Sequence, residues 1–260
     1  MRTFAIVNRK GGVGKTTTAV NLAYVLATGA HLRVLLVDAD GQANATQIML
    51  PAGEYAGLGA LLRGMAICYD ELVEHTDVAG LDVLPASADL WSLDLEAAAG
   101  DRGRSFRTVL DMREALEEDD AYDVMIIDCP PNLGAACVAS ILASDCVIIP
   151  VLSDACSATG VADIVDQIDS LRSVRLDLRV GGVLVNQWHR APIVEDAVAY
   201  LREDSAVPVY DTVIRRTDKV VESSWSQVPV QVLSPFCSAA RDYRVFAAEL
   251  LAKEGIEYER

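Results

Sequence analysis

The chain has 260 residues, 52% of them hydrophobic, and a formal net charge of −16 at pH 7. That length supports one large domain with a full core, and the acidic balance excludes a protein that coats nucleic acid by bulk electrostatics, while leaving room for a local basic patch. No run of 18 or more apolar residues is present and the N-terminus carries no signal-peptide pattern, so the expectation is a cytoplasmic protein without a membrane span.

In chain order, residues 3–8 are apolar and β-compatible and predict a first strand. Gly11, Gly12 and Gly14 then make a tight turn, and residues 16–27 carry apolar faces at helical spacing through Val20, Leu22, Ala23, Leu26 and Ala27. Residues 33–37 predict a second strand that runs into Asp38 and Asp40. The stretch 51–80 is mixed and glycine-rich. A short strand is predicted at 81–84 and a helix at 105–118, with Glu117-Glu118-Asp119-Asp120 as its solvated end. Residues 122–127 form a third strong strand. Pro130 and Pro131 cannot continue it, so the chain turns there. Strands at 146–151, 180–185 and 207–210 alternate with helices at 157–172, 192–203 and 239–253, the second opened by Pro192.

Strands that are continuous apolar runs, alternating with helices, predict an α/β fold. It is a mainly parallel twisted sheet with helices on both faces, in a single domain over 1–260. Ligands bind such sheets beyond the carboxyl ends of the strands. The six cysteines, Cys68, Cys129, Cys137, Cys146, Cys156 and Cys237, form no C-x-x-C pair and read as buried free thiols.

Two kinds of strand end carry chemistry. The first strand leads into Lys10-Gly-Gly-Val-Gly-Lys15-Thr16-Thr17. A phosphate-binding loop has the form G-x-x-x-x-G-K-[ST] between a strand and a helix. Here Gly14-Lys15-Thr16 fits its second half, whereas Arg9 stands at the first glycine position and Lys10 is added. Small residues let backbone N–H groups close around phosphate oxygens, and the helix N-terminus points at the same charge. In that pattern Lys15 contacts the β- and γ-phosphates and Thr16 ligates Mg²⁺. The other two strands end in acids, Asp38 and Asp40 after Val37, and Asp128 after Ile127. Acids at neighbouring strand ends can serve Mg²⁺ and orient the attacking water in phosphoryl transfer. Alternation along a strand puts Asp38 and Asp40 on one side.

The segments Asn8-Arg-Lys-Gly-Gly-Val-Gly-Lys-Thr-Thr-Thr18, Val37-Asp-Ala-Asp-Gly-Gln-Ala-Asn-Ala-Thr46 and Ile127-Asp-Cys-Pro-Pro-Asn-Leu-Gly134 resemble the ParA/Soj branch of the deviant Walker-A ATPases. The resemblance runs over nearly the whole chain. It implies a P-loop ATPase that hydrolyses ATP with Mg²⁺ as cofactor. Lys10 matches the signature lysine that reaches the partner's nucleotide across a dimer. Lys15 and Thr16 match the phosphate and Mg²⁺ residues in cis. Asp40 matches the acid that orients water, and Asp38 and Asp128 match acids near the metal. Gly11, Gly12, Val13, Gly14 and Thr17 complete the nucleotide loop, and Asn186 matches a position near the adenine. The family implies an ATP-dependent sandwich homodimer, non-specific binding to double-stranded DNA, a ParB-like partner that stimulates hydrolysis, and a role in chromosome, plasmid or mobile-element segregation. Nucleoid association would follow from DNA binding.

The chain departs from the family at Gly41 and Ala43, where proline and glycine are usual, at Asn132, where serine is common, and at Arg215, where proline precedes the DNA-contacting arginine. The DNA candidates are Arg190, Arg215, Arg216 and Lys219. Three alternatives differ in class. A MinD-like membrane role needs a basic amphipathic C-terminal helix, and this chain ends in the acidic Lys253-Glu-Gly-Ile-Glu-Tyr-Glu-Arg260, so no membrane partner is expected. An iron–sulfur role would need shared cysteine ligands, for which Cys129 is the candidate. A slow ATP-binding switch differs from the enzyme only in rate. The absence of an N-terminal helix-turn-helix extension argues against operator-specific repression.

Overall fold

The computed structural model describes residues 1–65, 69–87, 90, 102–153, 157–205 and 207–258. Its frame is one eight-stranded sheet: β1 (Arg2–Ile6), β2 (Val34–Asp38), β3 (Glu74–His75), β4 (Leu81–Leu84), β5 (Val124–Asp128), β6 (Cys146–Leu152), β7 (Arg179–Trp188) and β8 (Val209–Arg215). The order is β3-β4-β2-β5-β1-β6-β7-β8. Every neighbouring pair is parallel except β3 and β4.

The central strands are buried on both faces, which is why they read as unbroken apolar runs. Their side chains sort by the two-residue period of a strand. Ala5, Leu35, Val37, Met125, Ile127, Val147 and Ile149 join one core. Phe4, Ile6, Val34, Leu36, Val124, Ile126 and Ile148 join the other. Each Val, Leu, Ile, Met or Phe side chain among them contributes roughly 1.5–3 kcal/mol when fully buried.

The helices are α1 (Lys15–Gly29), α2 (Asn44–Met49), α3 (Gly57–Leu62), α4 (Arg102–Glu118), α5 (Ala135–Ala143), α6 (Ser157–Leu171), α7 (Pro192–Asp204), α8 (Asp218–Trp225), α9 (Val230–Leu233) and α10 (Ser238–Glu254). Helices α2, α3, α5, α8 and α9 and strand β3 are additions to the sequence reading. The run of α5 is apolar almost throughout, and all but one of its nine residues are buried. A helix covered all round shows no stripe to detect. Helix α8 opens on Thr217, whose hydroxyl accepts from Lys219 N. Strand β8 is also longer than expected, reaching Arg215 rather than stopping at 210.

Strand β8 is an edge, and it is occupied along its open side. Glu249 of α10 accepts from the backbone N–H groups of Asp211 and Thr212 at 2.8 and 2.9 Å, while Arg202 of α7 donates to the Asp211 carbonyl at 3.0 Å. Cys129, Cys137 and Cys146 are buried free thiols, as expected, but Cys237 is half-buried. Its Sγ accepts from Ala240 N at 3.4 Å and caps α10. Cys68 and Cys156 lie outside the described residues.

Candidate nucleotide site

The loop after β1 is built by backbone conformation and pinned from two strands. Asn8 donates to the Pro150 carbonyl of β6 at 2.7 Å and accepts from Lys10 N at 2.8 Å, which fixes where the chain leaves the sheet. Gly12 and Gly14 then take left-handed φ values of +74° and +90°, open to glycine at little steric cost. From β7, Asn186 Nδ2 donates to the Val13 carbonyl at 2.8 Å and to Thr18 Oγ1 at 3.3 Å. Gln187 Nε2 donates to the Gly12 carbonyl at 3.3 Å. Asn186 is 3% exposed and lies under the loop as its clamp, a role its expected place near a base did not suggest.

Helix α1 starts at Lys15 with no side-chain cap and no acid in its first turn. Its N-terminal N–H groups are therefore left for an anion. A Cβ on Gly14 would sit 2.7 Å from Asn186 Nδ2. Replacing Gly14 with alanine thus combines a clash with a strained φ and should cost about 1–3 kcal/mol. Thermal melting reads that loss, and titration with a fluorescent ATP analogue should show weakened binding.

Lys15 is 7% exposed, and its Nζ donates to the Lys10 carbonyl at 3.1 Å. Burial lowers its pKa, against the attraction of Asp128 and Asp40. Thr16 and Thr17 follow on the cavity side of the helix, Val13 is buried beneath the loop, and Gly11, Gly12 and Lys10 are exposed.

The three acids take different places. Asp38 and Asp128 are register partners at the ends of β2 and β5, both 0% exposed. Strand β2 ends at Asp38, so Asp40 lies beyond it, and the two side chains take different partners. Asp38 accepts from Thr46 N at 2.8 Å, Thr46 Oγ1 at 2.7 Å and Asp40 N at 3.1 Å. It thereby holds the β2–α2 turn. Burial raises its pKa to about 6, against the Thr46 and Asp40 bonds.

Asp128 has both oxygens buried without a hydrogen-bond donor among the described residues. Burial first, and then the charge of Asp38, push its pKa well up; the neighbouring Thr16 hydroxyl and the charge of Lys15 oppose this. An orphaned carboxylate beside Thr16 fits a divalent cation. Among the described residues no group of three His, Cys, Asp or Glu side chains could hold a metal by itself. Mg²⁺ suits such a site because it is typically bound by one or two protein ligands together with substrate phosphates and water.

Asp40 is 8% exposed and reaches the cavity. Its Oδ1 accepts from Gln42 N at 3.0 Å, and its carbonyl accepts from Ala43 N at 2.8 Å. Ala43 closes this turn at φ +55°, a left-handed conformation that costs a non-glycine residue about 1–2 kcal/mol.

These groups converge on a cavity of about 420 Å³ lined by Gly11, Gly12, Gly14, Lys15, Thr16, Thr17 and Asp40, with Ser223, Gln227 and Pro229 as the far wall. That size is within the usual range for a small-molecule site. A smaller cavity of about 160 Å³ shares Gly14 and Thr17 and extends past Asn186 to Arg215, Arg216 and Thr217. The far wall, from α8 to Pro229, was not anticipated. Thr217-Asp218 ahead of Val220 and Val221 is a helix start that signals α8.

The DNA candidates gather at one end of the sheet, since Trp188, two residues before Arg190, pairs with Arg215 in the β7–β8 register. They are not equivalent. Arg215 Nη2 lies 2.6 Å and its Nε 2.9 Å from the two oxygens of Asp242, and its backbone N–H donates to the same carboxylate at 2.9 Å. This bidentate pair ties Arg215 to Asp242 more firmly than the other candidates are tied to their partners. Lys219 pairs with Glu222 at 2.6 Å and Arg190 with Glu195 at 4.0 Å, both at the surface. Such pairs are worth about 0–1 kcal/mol and yield readily to a phosphate. Arg216 is exposed, with its backbone N–H donated to the Trp188 carbonyl.

Comparison with known proteins agrees with this geometry. The AAA domain family matches residues 1–180. The chromosome partitioning protein ParA of Caulobacter vibrioides is 34% identical over 267 residues, covering 98% of this chain and 95% of that protein. The chromosome-partitioning ATPase Soj of Thermus thermophilus is also 34% identical, covering 97% and 96%. Among solved structures, cobyrinic acid a,c-diamide synthase from Mycobacterium smegmatis, with bound ATP analogue and magnesium, superposes with a TM-score of 0.80 at 28% identity, covering 96% of this chain and 94% of that one. The glycine loop, the acidic strand ends and this full-length similarity lead to one assignment: the chain belongs to the ParA/Soj family of chromosome-partitioning ATPases.

Proposed function

We propose that this chain is a Mg-ATP-dependent partition ATPase, one domain over 1–260, that dimerises on ATP and binds double-stranded DNA without sequence preference. A ParB-like partner would stimulate it, and its cargo would be a chromosome, plasmid or mobile element. The observation that carries the reading is the meeting of Lys15, Thr16, Asp40 and the uncapped start of α1 in one cavity, with orphaned Asp128 beneath Thr16.

The backbone N–H groups from Gly11 to Thr17 and the Lys15 ammonium would hold the phosphates. Thr16 Oγ1 and Asp128, the latter through water, would hold Mg²⁺, which supplies neutralisation of phosphate charge. Asp40 Oδ2 would accept a hydrogen bond from the attacking water and orient it, while Oδ1 stays tied to Gln42 N. Lys10, exposed at the loop tip, would reach the nucleotide of a second copy. The smaller cavity past Gly14 would take the base, with Asn186 as the clamp of its floor.

Phosphate release from ATP, with and without Mg²⁺ and DNA, tests the enzyme reading, and no Mg-dependent release would end it. For DNA, filter binding at low salt with ATP should show sequence-independent retention. Arg216→Ala should weaken it uniformly across sequences and reduce the slope of log affinity against log salt by about 1. Retention unchanged in that variant would remove the DNA face proposed here.

A further inference from the structure

Asp40 is held at the cavity with the help of a residue that does not line it. The bonds Asp40 makes to Gln42 N and Ala43 N lie inside its own turn, so they shape the turn without fixing it to the sheet. The turn also carries Ala43 at φ +55°, and a non-glycine residue persists in that region where its surroundings over-determine it. Asp38 supplies part of that hold. One of its oxygens accepts from Asp40 N at 3.1 Å, and the other accepts from both Thr46 N and Thr46 Oγ1.

The buried Thr46 hydroxyl has a second bond, which joins this arrangement to the neighbouring strand. Its Oγ1 lies 2.9 Å from Ala86 N, just past the end of β4. Ala86 N can only donate, so Oγ1 accepts there and its single proton goes to Asp38 Oδ2 at 2.7 Å. Both roles of the hydroxyl are thereby fixed. The segment it leans on is anchored in turn. Leu58 N donates to the Pro85 carbonyl at 2.9 Å, and a Cβ on Gly57, at φ +46°, would overlap that same oxygen. We propose that Thr46 is a positioning residue for ATP cleavage. Its hydroxyl ties the Asp38 carboxylate to the end of β4, and Asp38 sets the backbone from which Asp40 reaches the attacking water. The inference rests on the role proposed above for Asp40 and names the group that keeps it in place. Rate is steep in such geometry, since a misplacement of about 1 Å can cost about 10²-fold.

Thr46→Val tests it by removing the hydroxyl from a side chain of nearly the same shape, which leaves Ala86 N unpaired and Asp38 with one donor fewer. Steady-state phosphate release should show kcat down about 10- to 10²-fold, with the KM for ATP and the Mg²⁺ concentration at half-maximal rate unchanged. Thr46→Ser, which keeps the hydroxyl, should restore most of the rate. Melting curves show that the variants are folded, and Thr46→Ala makes the same comparison should valine not fold. Single-turnover release then asks whether the loss runs through Asp40. An Asp40→Ala/Thr46→Val double variant should be no slower than Asp40→Ala alone, because nothing is left to position.

Wild-type kcat in Thr46→Val, a loss confined to KM, a raised Mg²⁺ requirement, a serine variant as slow as valine, or a further loss in the double variant each overturns the positioning role and leaves Asp40 standing. Wild-type turnover in Asp40→Ala overturns the role of Asp40 and the positioning together.

Discussion

Replacing Asp40 with alanine should lower the rate of ATP cleavage by about 10²–10⁴-fold, the usual range for a side chain that positions a proton acceptor or a water, with nucleotide affinity roughly unchanged. The distinction follows from place. Asp40 lies past the end of β2 and lines the cavity opposite Lys15, whereas its neighbour Asp38 is bound to Thr46 and to Asp40 N. Asp40 also organises its own turn through Gln42 N. Asparagine at this position can keep that turn and lose the charge. Single-turnover phosphate release from Asp40→Asn and Asp40→Ala therefore separates a charge effect from a loop effect. If the asparagine variant is as slow as alanine, the charge carries the rate. Wild-type turnover in the alanine variant would sink the assignment.

Lys15→Met should lose about 10²–10³-fold in turnover and bind ATP more weakly as well. The methionine keeps an unbranched apolar stem and removes the ammonium. That ammonium is buried at the cost of its hydration, stabilised by Asp128 and Asp40, and held in place by the Lys10 carbonyl. Its charge is a local counterweight to Asp128 and Asp40. Isothermal titration with a slowly hydrolysed analogue, alongside phosphate release, separates the two losses. A variant that turns over normally would show that another cation serves the γ-phosphate.

Much of this architecture was legible before the structure. The parallel sheet followed from strands buried on both faces, and the pocket from Gly14-Lys15-Thr16 at a strand-to-helix junction. The misses have distinct physical causes. Residues 135–143 are apolar almost throughout, so nothing in their pattern marks a helix face. The two-residue β3 is too short to carry a period. Asp38 and Asp40 look alike in sequence because alternation is a property of strands, and the strand stops between them. Arg215 and Arg216 are both candidate DNA contacts in sequence, and the tertiary contact that binds Arg215 to Asp242 could not be read there. Side-chain competition between partners distant in the chain leaves no local signal.

The occupied edge of β8 constrains how this protein can assemble. A sheet that offers unpaired N–H and C=O groups at its rim invites strand addition and open-ended polymers. Here Glu249 and Arg202 already satisfy backbone groups on one rim, and the other rim ends in the brief, polar β3 of Glu74 and His75. Growth along the sheet is thus blocked at both margins. Any assembly of copies is thereby steered away from a ladder that would have no natural stopping point and toward contacts on other faces of the molecule.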